Sequence, residues 1–353
     1  ARDEAEATSG IFLDANESPY NNGYNRYPDP RQKKLKRVIS KIKNVLEENI
    51  FAGNGSDEAI DILIRVFCIP GTDNIISVLP TYGMYKVAAA VNDVEYREVA
   101  LNEDFSLDAG KLLSAADSNS KLVFLCSPNN PTGNLLNKRD VLEVIKNFKG
   151  VVVIDEAYID FSEDSGFVSK ISEFKNLVVL QTLSKSWGMA ALRVGFAFSG
   201  KEIISYMDKV KYPYNINSFS QERAIRLIIN GNSKITEAII GERERLSNSL
   251  LSVNCVKKVY PSSANFLLVK FSDSLKVFNR LKEKGIIVRE RNSQYGCSET
   301  LRITVGKRSE NDLLLAIING ESQGLISPLI EKKRDTKETS VSVKIDLFGN
   351  MVT

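Results

Sequence analysis

The sequence contains no histidine among its 353 residues, and this absence excludes several kinds of active site. A Ser-His-Asp triad, a Cys-His pair and a histidine-ligated zinc site all require an imidazole ring. An enzyme of this composition therefore has to move protons with lysine, tyrosine, aspartate, glutamate or a bound cofactor.

Cysteine is also scarce. The four cysteines are far apart and form no Cys-x-x-Cys pair; they are Cys68, Cys126, Cys255 and Cys297. Each lies in or near an apolar stretch, which is typical of small core residues in a reduced protein. We therefore expect no metal site and a cytoplasmic location.

Long apolar runs and basic clusters are missing as well. No apolar run approaches the roughly 20 residues that span a bilayer, and the N-terminus has neither the basic nor the apolar region of a signal peptide. The net charge is +3, and lysine and arginine are scattered rather than grouped in the stripe typical of nucleic-acid binding. Neither a membrane nor a nucleic acid is an expected partner.

Short apolar runs are plentiful, and 43% of the chain is hydrophobic. The runs are continuous rather than alternating, which is typical of strands buried on both faces of a mainly parallel sheet. They cover residues 75–79, 122–126, 151–154, 177–180 and 194–198. Helical patterns at 57–67, 138–147 and 203–211 separate many of them, so the sequence predicts an α/β fold with helices on both faces of the sheet.

The pattern changes near Gln221, where a long helical stretch, 221–251, begins. Shorter strand-like pieces follow it and predict a second, α+β domain. The predicted organisation is an N-terminal segment that packs with the small domain, a large domain, a small domain and a polar tail, at 1–30, 31–220, 221–325 and 326–353.

Polar residues follow three of the apolar runs directly. Asn130 comes after the second run, Asp155 and Tyr158 after the third, and Ser184 and Lys185 after the fourth. One such residue alone is usually a turn residue or a solvated charge. Because ligands of open parallel sheets bind at the carboxyl ends of the strands, the three groups together predict one site.

A fourth element, Gly55-Ser56-Asp57, opens the predicted helix 57–67. Glycine lets the backbone approach a ligand closely, and a helix start offers free N–H groups and a positive dipole end. The alternative is that Ser56 only caps the helix. The pattern is neither a Walker loop nor a dinucleotide fingerprint, and it predicts a phosphate cradle.

These motifs resemble those of the fold-type I pyridoxal-phosphate aminotransferases. The resemblance rests on Lys185 between two serines, with Arg193 eight positions later, on the Asn-Pro-Thr-Gly run at 130–133, and on Asp155 followed by Tyr158. It implies a large domain with a mostly parallel seven-stranded sheet sandwiched by helices, a smaller α+β domain, and pyridoxal phosphate as cofactor.

Four further segments narrow the resemblance to the histidinol-phosphate aminotransferase subgroup of class II. They are residues 13–20, 25–28, 80–85 and 301–306, and the likeness covers about residues 1–320. The subgroup implies amino transfer between L-histidinol phosphate and 2-oxoglutarate in histidine biosynthesis.

The resemblance also implies a role for each cofactor-binding residue. Lys185 would bind the cofactor covalently and move a proton at the substrate carbon. Asp155 would keep the pyridine nitrogen protonated. Asn130 and Tyr158 would hydrogen-bond the phenolic oxygen, and Tyr82 would stack on the ring.

The cofactor phosphate would lie among charged and neutral donors. Tyr27 would reach this phosphate from a partner subunit, which implies a homodimer. The donors of the same chain would be the Gly55, Ser56 and Asp57 amides, the Ser184 hydroxyl and the Arg193 guanidinium.

Two arginines would bind the substrates. Arg302 would bind the carboxylate next to the amine, and Arg289, 13 positions upstream, would bind the distal phosphate or carboxylate. Tyr20 and Asn16 would line the same end of the pocket. The alternative for Arg289 is a surface salt bridge with Glu290 or Glu299.

The tail and the exact reaction leave alternatives open. Residues 334–343 resemble the opening of imidazoleglycerol-phosphate dehydratase, although that enzyme needs histidines that this chain lacks; a chance charged tail is the alternative. Other functions that fit the scaffold are an aromatic or general amino-acid aminotransferase, a threonine-phosphate decarboxylase and the non-catalytic half of a transcription regulator.

Overall fold

The computed structural model describes residues 11–320, 329–335 and 340–346. Its largest sheet has seven strands, which are β1 Ile50–Asn54, β2 Asn74–Leu79, β3 Glu95–Ala100, β4 Ser120–Cys126, β5 Val151–Asp155, β6 Leu177–Thr182 and β7 Val194–Ser199. They lie in the order β1-β7-β6-β5-β4-β2-β3. Only the two strand pairs that include β7 are antiparallel, which makes the sheet mostly parallel.

Helices cover both faces of this sheet. They are α1 Lys33–Lys43, α2 Ser56–Phe67, α3 Met84–Val91, α4 Ala109–Ser114, α5 Lys138–Asn147, α6 Lys201–Val210 and α7 Ser218–Asn230. Helices α2, α3 and α6 form a core with one face, and α1, α4, α5 and α7 form a core with the other. In β5, Val151 and Val153 join one core while Val152 and Ile154 join the other. This two-sided burial explains the continuous apolar runs and confirms the predicted α/β architecture.

A second, smaller sheet lies in the C-terminal part. Its strands are β8 Val256–Val259, β9 Phe266–Phe271, β10 Arg289–Glu290 and β11 Thr300–Thr304, and its helices are α8 Ser233–Leu251, α9 Ser274–Glu283 and α10 Arg308–Ile318. The strand order is β10-β11-β9-β8, and every pair is antiparallel. The three helices and this sheet share one apolar core, as an α+β unit should.

The prediction of a single helix at 221–251 is wrong. The stretch is two helices, α7 and α8, separated by Gly231 with a φ of +73°, a left-handed conformation that glycine adopts without strain. Ala224 and Ile228 of α7 belong to the core of the large sheet. The predicted boundary at 220 falls inside this helix, and the division into domains stays a prediction.

The N-terminal segment contacts the chain just before and at the start of α7. Tyr24 packs on Phe219 with ring centroids 5.0 Å apart, and Tyr27 stacks on Tyr214 at 4.4 Å. These partners lie ahead of the region 221–325 with which the segment was predicted to pack, so contact with the small domain stays a prediction.

Two further strands, β12 Leu329–Asp335 and β13 Ser340–Asp346, pair with each other antiparallel. The stretch 334–343 that resembles the dehydratase lies partly outside the described residues, so its origin stays a prediction. In the described part of the chain, no helix is both long and apolar enough to cross a membrane.

Candidate active site

The polar residues that follow the strands meet in one pocket. The sequence predicted its position, because the carboxyl ends of parallel strands share one edge of a sheet. The predicted residues that line it are Ser56, Asp57, Tyr82, Asn130, Asp155, Tyr158, Ser184, Lys185 and Arg193.

Asp155 ends β5 and is 2% exposed. Its Oδ2 accepts a hydrogen bond from the Tyr85 hydroxyl at 2.7 Å, and its Oδ1 accepts one from the Ala157 N–H at 3.1 Å. Burial raises the pKa of Asp155, and the Tyr85 hydrogen bond opposes that rise. A desolvated carboxylate of this kind is suited to a cationic partner that carries a proton.

Tyr85 is a site residue that the sequence did not reveal. Its side chain is fully buried and stacks on Phe124 of β4 with ring centroids 4.9 Å apart. The Pro-Thr-Tyr-Gly-Met-Tyr motif contained Tyr85, but only the packing of α3 on the sheet brings its hydroxyl to Asp155.

Lys185 follows β6, and its Nζ lies 5.5 Å from the centroid of the Tyr158 ring. Burial lowers the pKa of Lys185, as does the nearby charge of Arg302, while Asp155 opposes them. A lowered pKa increases the fraction of free amine, which is the nucleophilic form.

Three elements form an anion cradle at the start of α2. Gly55 has a φ of +80°, and a Cβ placed on it would lie 2.6 Å from Nη2 of Arg193. Arg193 is paired with Asp57 at 3.2 Å, and the Ser184 hydroxyl lies 3.0 Å from that of Thr182. The free N–H groups of the helix, a hydroxyl and a guanidinium are the donors that bind a phosphate.

Arg302 reaches the pocket region from β11 of the smaller sheet. Its Nη1 donates to Oδ1 of Asn130, and its guanidinium lies 5.2 Å from the centroid of the Phe266 ring. Tyr158 packs edge-on against the same ring at 5.2 Å. The Phe266 ring therefore contacts both Arg302 of the smaller sheet and Tyr158, which adjoins Lys185. The sequence did not reveal Phe266 as a site residue.

Arg289 lies directly opposite Arg302 in the β10–β11 ladder, so both side chains leave the same face of the sheet. Arg289 is exposed, and within the described part of the chain it forms no ion pair with Glu290 or Glu299. The surface salt bridge that was the alternative for Arg289 is therefore not formed.

The predicted residues of the N-terminal segment do not line this pocket. Asn16 and Tyr27 line a separate surface pocket, and Tyr20 is 83% exposed. Gly55 is absent from the lining as well, although it adjoins Arg193. The roles of Asn16, Tyr20 and Tyr27 toward the substrate or a partner's cofactor stay predictions.

Comparison with known proteins decides which chemistry the pocket serves. The family described as aminotransferase class I and II matches residues 12–318. The chain belongs to this aminotransferase family. Its members depend on pyridoxal phosphate, so the chain is a pyridoxal-phosphate-dependent transaminase.

Individual relatives of the aminotransferase bear related names. A histidinol-phosphate aminotransferase of Parabacteroides distasonis is 51% identical over 89% of this chain and 92% of its own. The crystal structure of the histidinol-phosphate aminotransferase from Clostridium acetobutylicum has a TM-score of 0.77 and 27% identity, over 84% of this chain and 90% of its own. A Sinorhizobium meliloti histidinol-phosphate aminotransferase, solved in complex with pyridoxal-5'-phosphate, has the same fold, with a TM-score of 0.77, 22% identity and coverages of 84% and 82%.

The pocket of the aminotransferase fits pyridoxal phosphate chemically. The buried Asp155 carboxylate suits a protonated ring nitrogen, the Lys185 amine suits an aldehyde, and the cradle at Ser56 suits a phosphate. Among the described residues, Nζ of Lys185 has neither a hydrogen bond nor an ion pair, so it is free to react.

Glu156, next to Asp155, is buried away from the pocket and sets a pH dependence of stability. Its carboxylate accepts hydrogen bonds from Nε2 of Gln181 at 2.8 Å and from the Phe167 N–H at 2.5 Å. Burial raises the pKa of Glu156 from 4.5 to about 7. Because the folded state holds this proton more tightly than the unfolded state, stability from this group is lost as the pH rises from about 4.5 to 7.

We therefore expect Glu156→Gln to stabilise the aminotransferase progressively as the pH rises through this window. The gain relative to wild type should approach about 3 kcal/mol at most above pH 7, since one pKa unit corresponds to about 1.4 kcal/mol. Thermal unfolding midpoints of the holoenzyme between pH 5 and 8 measure it. Glu103→Gln, at an exposed position, is the control, and its unfolding midpoint should differ from that of wild type by the same amount at every pH. A constant difference for Glu156→Gln as well would contradict the prediction.

Proposed function

We propose that this aminotransferase converts L-histidinol phosphate and 2-oxoglutarate to imidazole-acetol phosphate and glutamate, a step of histidine biosynthesis. The observation that carries the proposal is Arg289 facing Arg302 across one ladder step. Two like charges placed opposite each other destabilise a sheet, so the pair is useful only when an anion joins it. The 51% identical relative with that name supports the same substrate.

The two arginines suit two different anions. Arg302 donates a hydrogen bond to Asn130, and its charge lowers the pKa of Lys185. It would therefore bind the carboxylate beside the reacting amine. Arg289 lies farther out at the exposed edge and would bind either the substrate phosphate or the side-chain carboxylate of glutamate. A guanidinium accommodates both anions because its donors form a planar fork.

The residues around Lys185 divide the chemistry among them. When bound, pyridoxal phosphate supplies a ring that stabilises negative charge at the substrate carbon. Asp155, fixed by Tyr85 and the Ala157 N–H, would hold a proton on the ring nitrogen. Nζ of Lys185 would move the proton at the substrate Cα, and Asn130 and Tyr158 would orient the ring through its phenolic oxygen.

A direct assay tests this function. We expect transfer from histidinol phosphate that depends on 2-oxoglutarate and that exceeds transfer from histidine or phenylalanine. Threonine phosphate, assayed alongside, should release no carbon dioxide. Faster transfer from phenylalanine, or decarboxylation of threonine phosphate, would replace the proposal with one of those two activities.

We also propose that the enzyme is a homodimer in which Tyr27 serves the partner's cofactor. Tyr27 belongs to a group of exposed aromatic side chains with Tyr24, Tyr214 and Phe219, between 41% and 68% exposed. An apolar patch of this kind supports pairing with a second copy. A cytoplasmic location stays a prediction, supported by four free cysteines.

Mixing of subunits tests the sharing of Tyr27. An equimolar mixture of wild type with the Tyr27→Phe/Lys185→Ala double variant should lower the activity per wild-type subunit toward about half, because random pairing in a twofold dimer places half of those subunits beside a double-variant subunit. Mixing with Lys185→Ala alone is the control and should leave that activity unchanged. Equal results from the two mixtures, or a fully active monomer, would rule out a shared Tyr27.

A further inference from the structure

A third arginine, Arg291, lies beside the pair formed by Arg289 and Arg302. Its backbone N–H donates to the Thr300 carbonyl at 3.2 Å, which extends the β10–β11 ladder by one step. Because strand residues two apart share a face, Arg291 leaves the sheet on the same side as Arg289. Its charge acts on Tyr158 of the pocket, and the charges of Arg289 and Arg302 act on Arg291, so Arg291 lies within electrostatic range of the site and of both other arginines.

Among the residues that the structure describes, the side chain of Arg291 has no hydrogen-bond or ion-pair partner. Its Nε is buried and makes no hydrogen bond, and the same is true of Nε of Arg302. Among the described residues no carboxylate pairs with either guanidinium. Buried charges in proteins are normally paired, since desolvation of an unpaired charge costs several kcal/mol.

The three arginines Arg289, Arg291 and Arg302 repel one another. Burial, with the charges of Arg302 and Arg289 acting in the same direction, lowers the pKa of Arg291 to about 10. The residue therefore carries its charge at neutral pH against two like charges. Repulsion among three like charges lowers the stability of the fold. The same three charges favour the binding of an anion, as is typical of a functional site.

We propose that Arg291 binds the phosphate of the substrate and makes the pocket prefer a dianionic phosphate to a carboxylate. The inference rests on the proposed function, because it assigns Arg291 to the distal end of the same substrate pocket. A phosphate with nearly two negative charges gains more from a third cation than a carboxylate with one does. Arg289 then binds the distal anion of both substrates, and Arg291 distinguishes between them.

The test compares Arg291→Gln with wild type as holoenzymes in the two half-reactions. We expect the KM for histidinol phosphate to rise about 10-fold or more, with kcat and the KM for glutamate changed by less than about threefold. Arg291→Lys should recover part of the loss because it restores the charge. The exposed Arg308→Gln, at the start of α10, has the same change of charge and should leave both KM values unchanged.

Stability separates binding from a structural role. Removal of a half-buried charge that has no partner among the described residues should leave the thermal midpoint of Arg291→Gln equal to or above that of wild type. A lowered midpoint together with equal losses for both substrates would overturn the proposal, as would an unchanged KM for histidinol phosphate.

Inorganic phosphate distinguishes this inference from the proposed function. It should inhibit the glutamate half-reaction of wild type competitively, and Arg291→Gln should weaken that inhibition about 10-fold. If wild type failed to use histidinol phosphate but the phosphate effect held, the proposed function alone would fall. If wild type used histidinol phosphate and phosphate inhibited both proteins equally, the assignment of Arg291 alone would fall.

Discussion

Lys185→Ala is expected to abolish amino transfer, with a loss of about 10⁴-fold or more in kcat. The variant would lose both the nucleophile that binds the cofactor and the base that moves the substrate proton, and each role alone contributes orders of magnitude. Borohydride treatment followed by peptide mass spectrometry measures the covalent role directly. The wild-type peptide that contains Lys185 should retain the cofactor mass, and the variant should retain none.

Two observations keep this prediction specific. Nζ of Lys185 has no hydrogen bond or ion pair in the described residues, so the alanine variant should fold and keep its thermal midpoint. Lys209→Ala, which removes an amine from the surface helix α6, should retain full activity. Cofactor mass on any other lysine would overturn the assignment.

The sequence predicted the centre of the site because simple geometry places it. Asp155 ends β5, and Lys185 follows β6, which is parallel to it. Once the apolar runs are taken as adjacent parallel strands, their carboxyl ends must meet at one edge. The apolar pattern of the strands and the rule for parallel sheets were therefore enough to predict where Asp155 and Lys185 lie.

Other elements depend on contacts that no local pattern contains. Tyr85 reaches Asp155 only because α3 packs on β4. Arg291 and its near neighbour Arg289 come beside Arg302 only through the β10–β11 register. The edge strand β3 is half polar and lacks the apolar run that marked its neighbours. The division of α7 from α8 depends on a single glycine inside an otherwise helical pattern.

Specificity should depend most on Arg289. Arg289→Ala removes the cation expected to bind the phosphate of histidinol phosphate, an anion that must lose its hydration to enter the pocket. One charge-assisted contact of about 1.5–3 kcal/mol corresponds to a loss of roughly 10- to 150-fold in kcat/KM. Single-turnover kinetics with histidinol phosphate measure the loss. The glutamate half-reaction should also slow, because its side-chain carboxylate would use the same arginine.

Arg302→Ala provides the matched comparison, since Arg302 lies directly across the ladder from Arg289. It should impair every substrate with an α-carboxylate but harm histidinol phosphate less, because that substrate has no α-carboxylate and its one anion is the phosphate ester on the CH₂ next to Cα. Leucine, which has no distal anion, should lose little in Arg289→Ala and much in Arg302→Ala. The two variants would thus show opposite orders of substrate loss only if one guanidinium binds the α-carboxylate and the other the distal anion. Equal losses for all substrates in both variants would instead mean that the two arginines act as one general field of positive charge, and the proposed division of roles would be wrong.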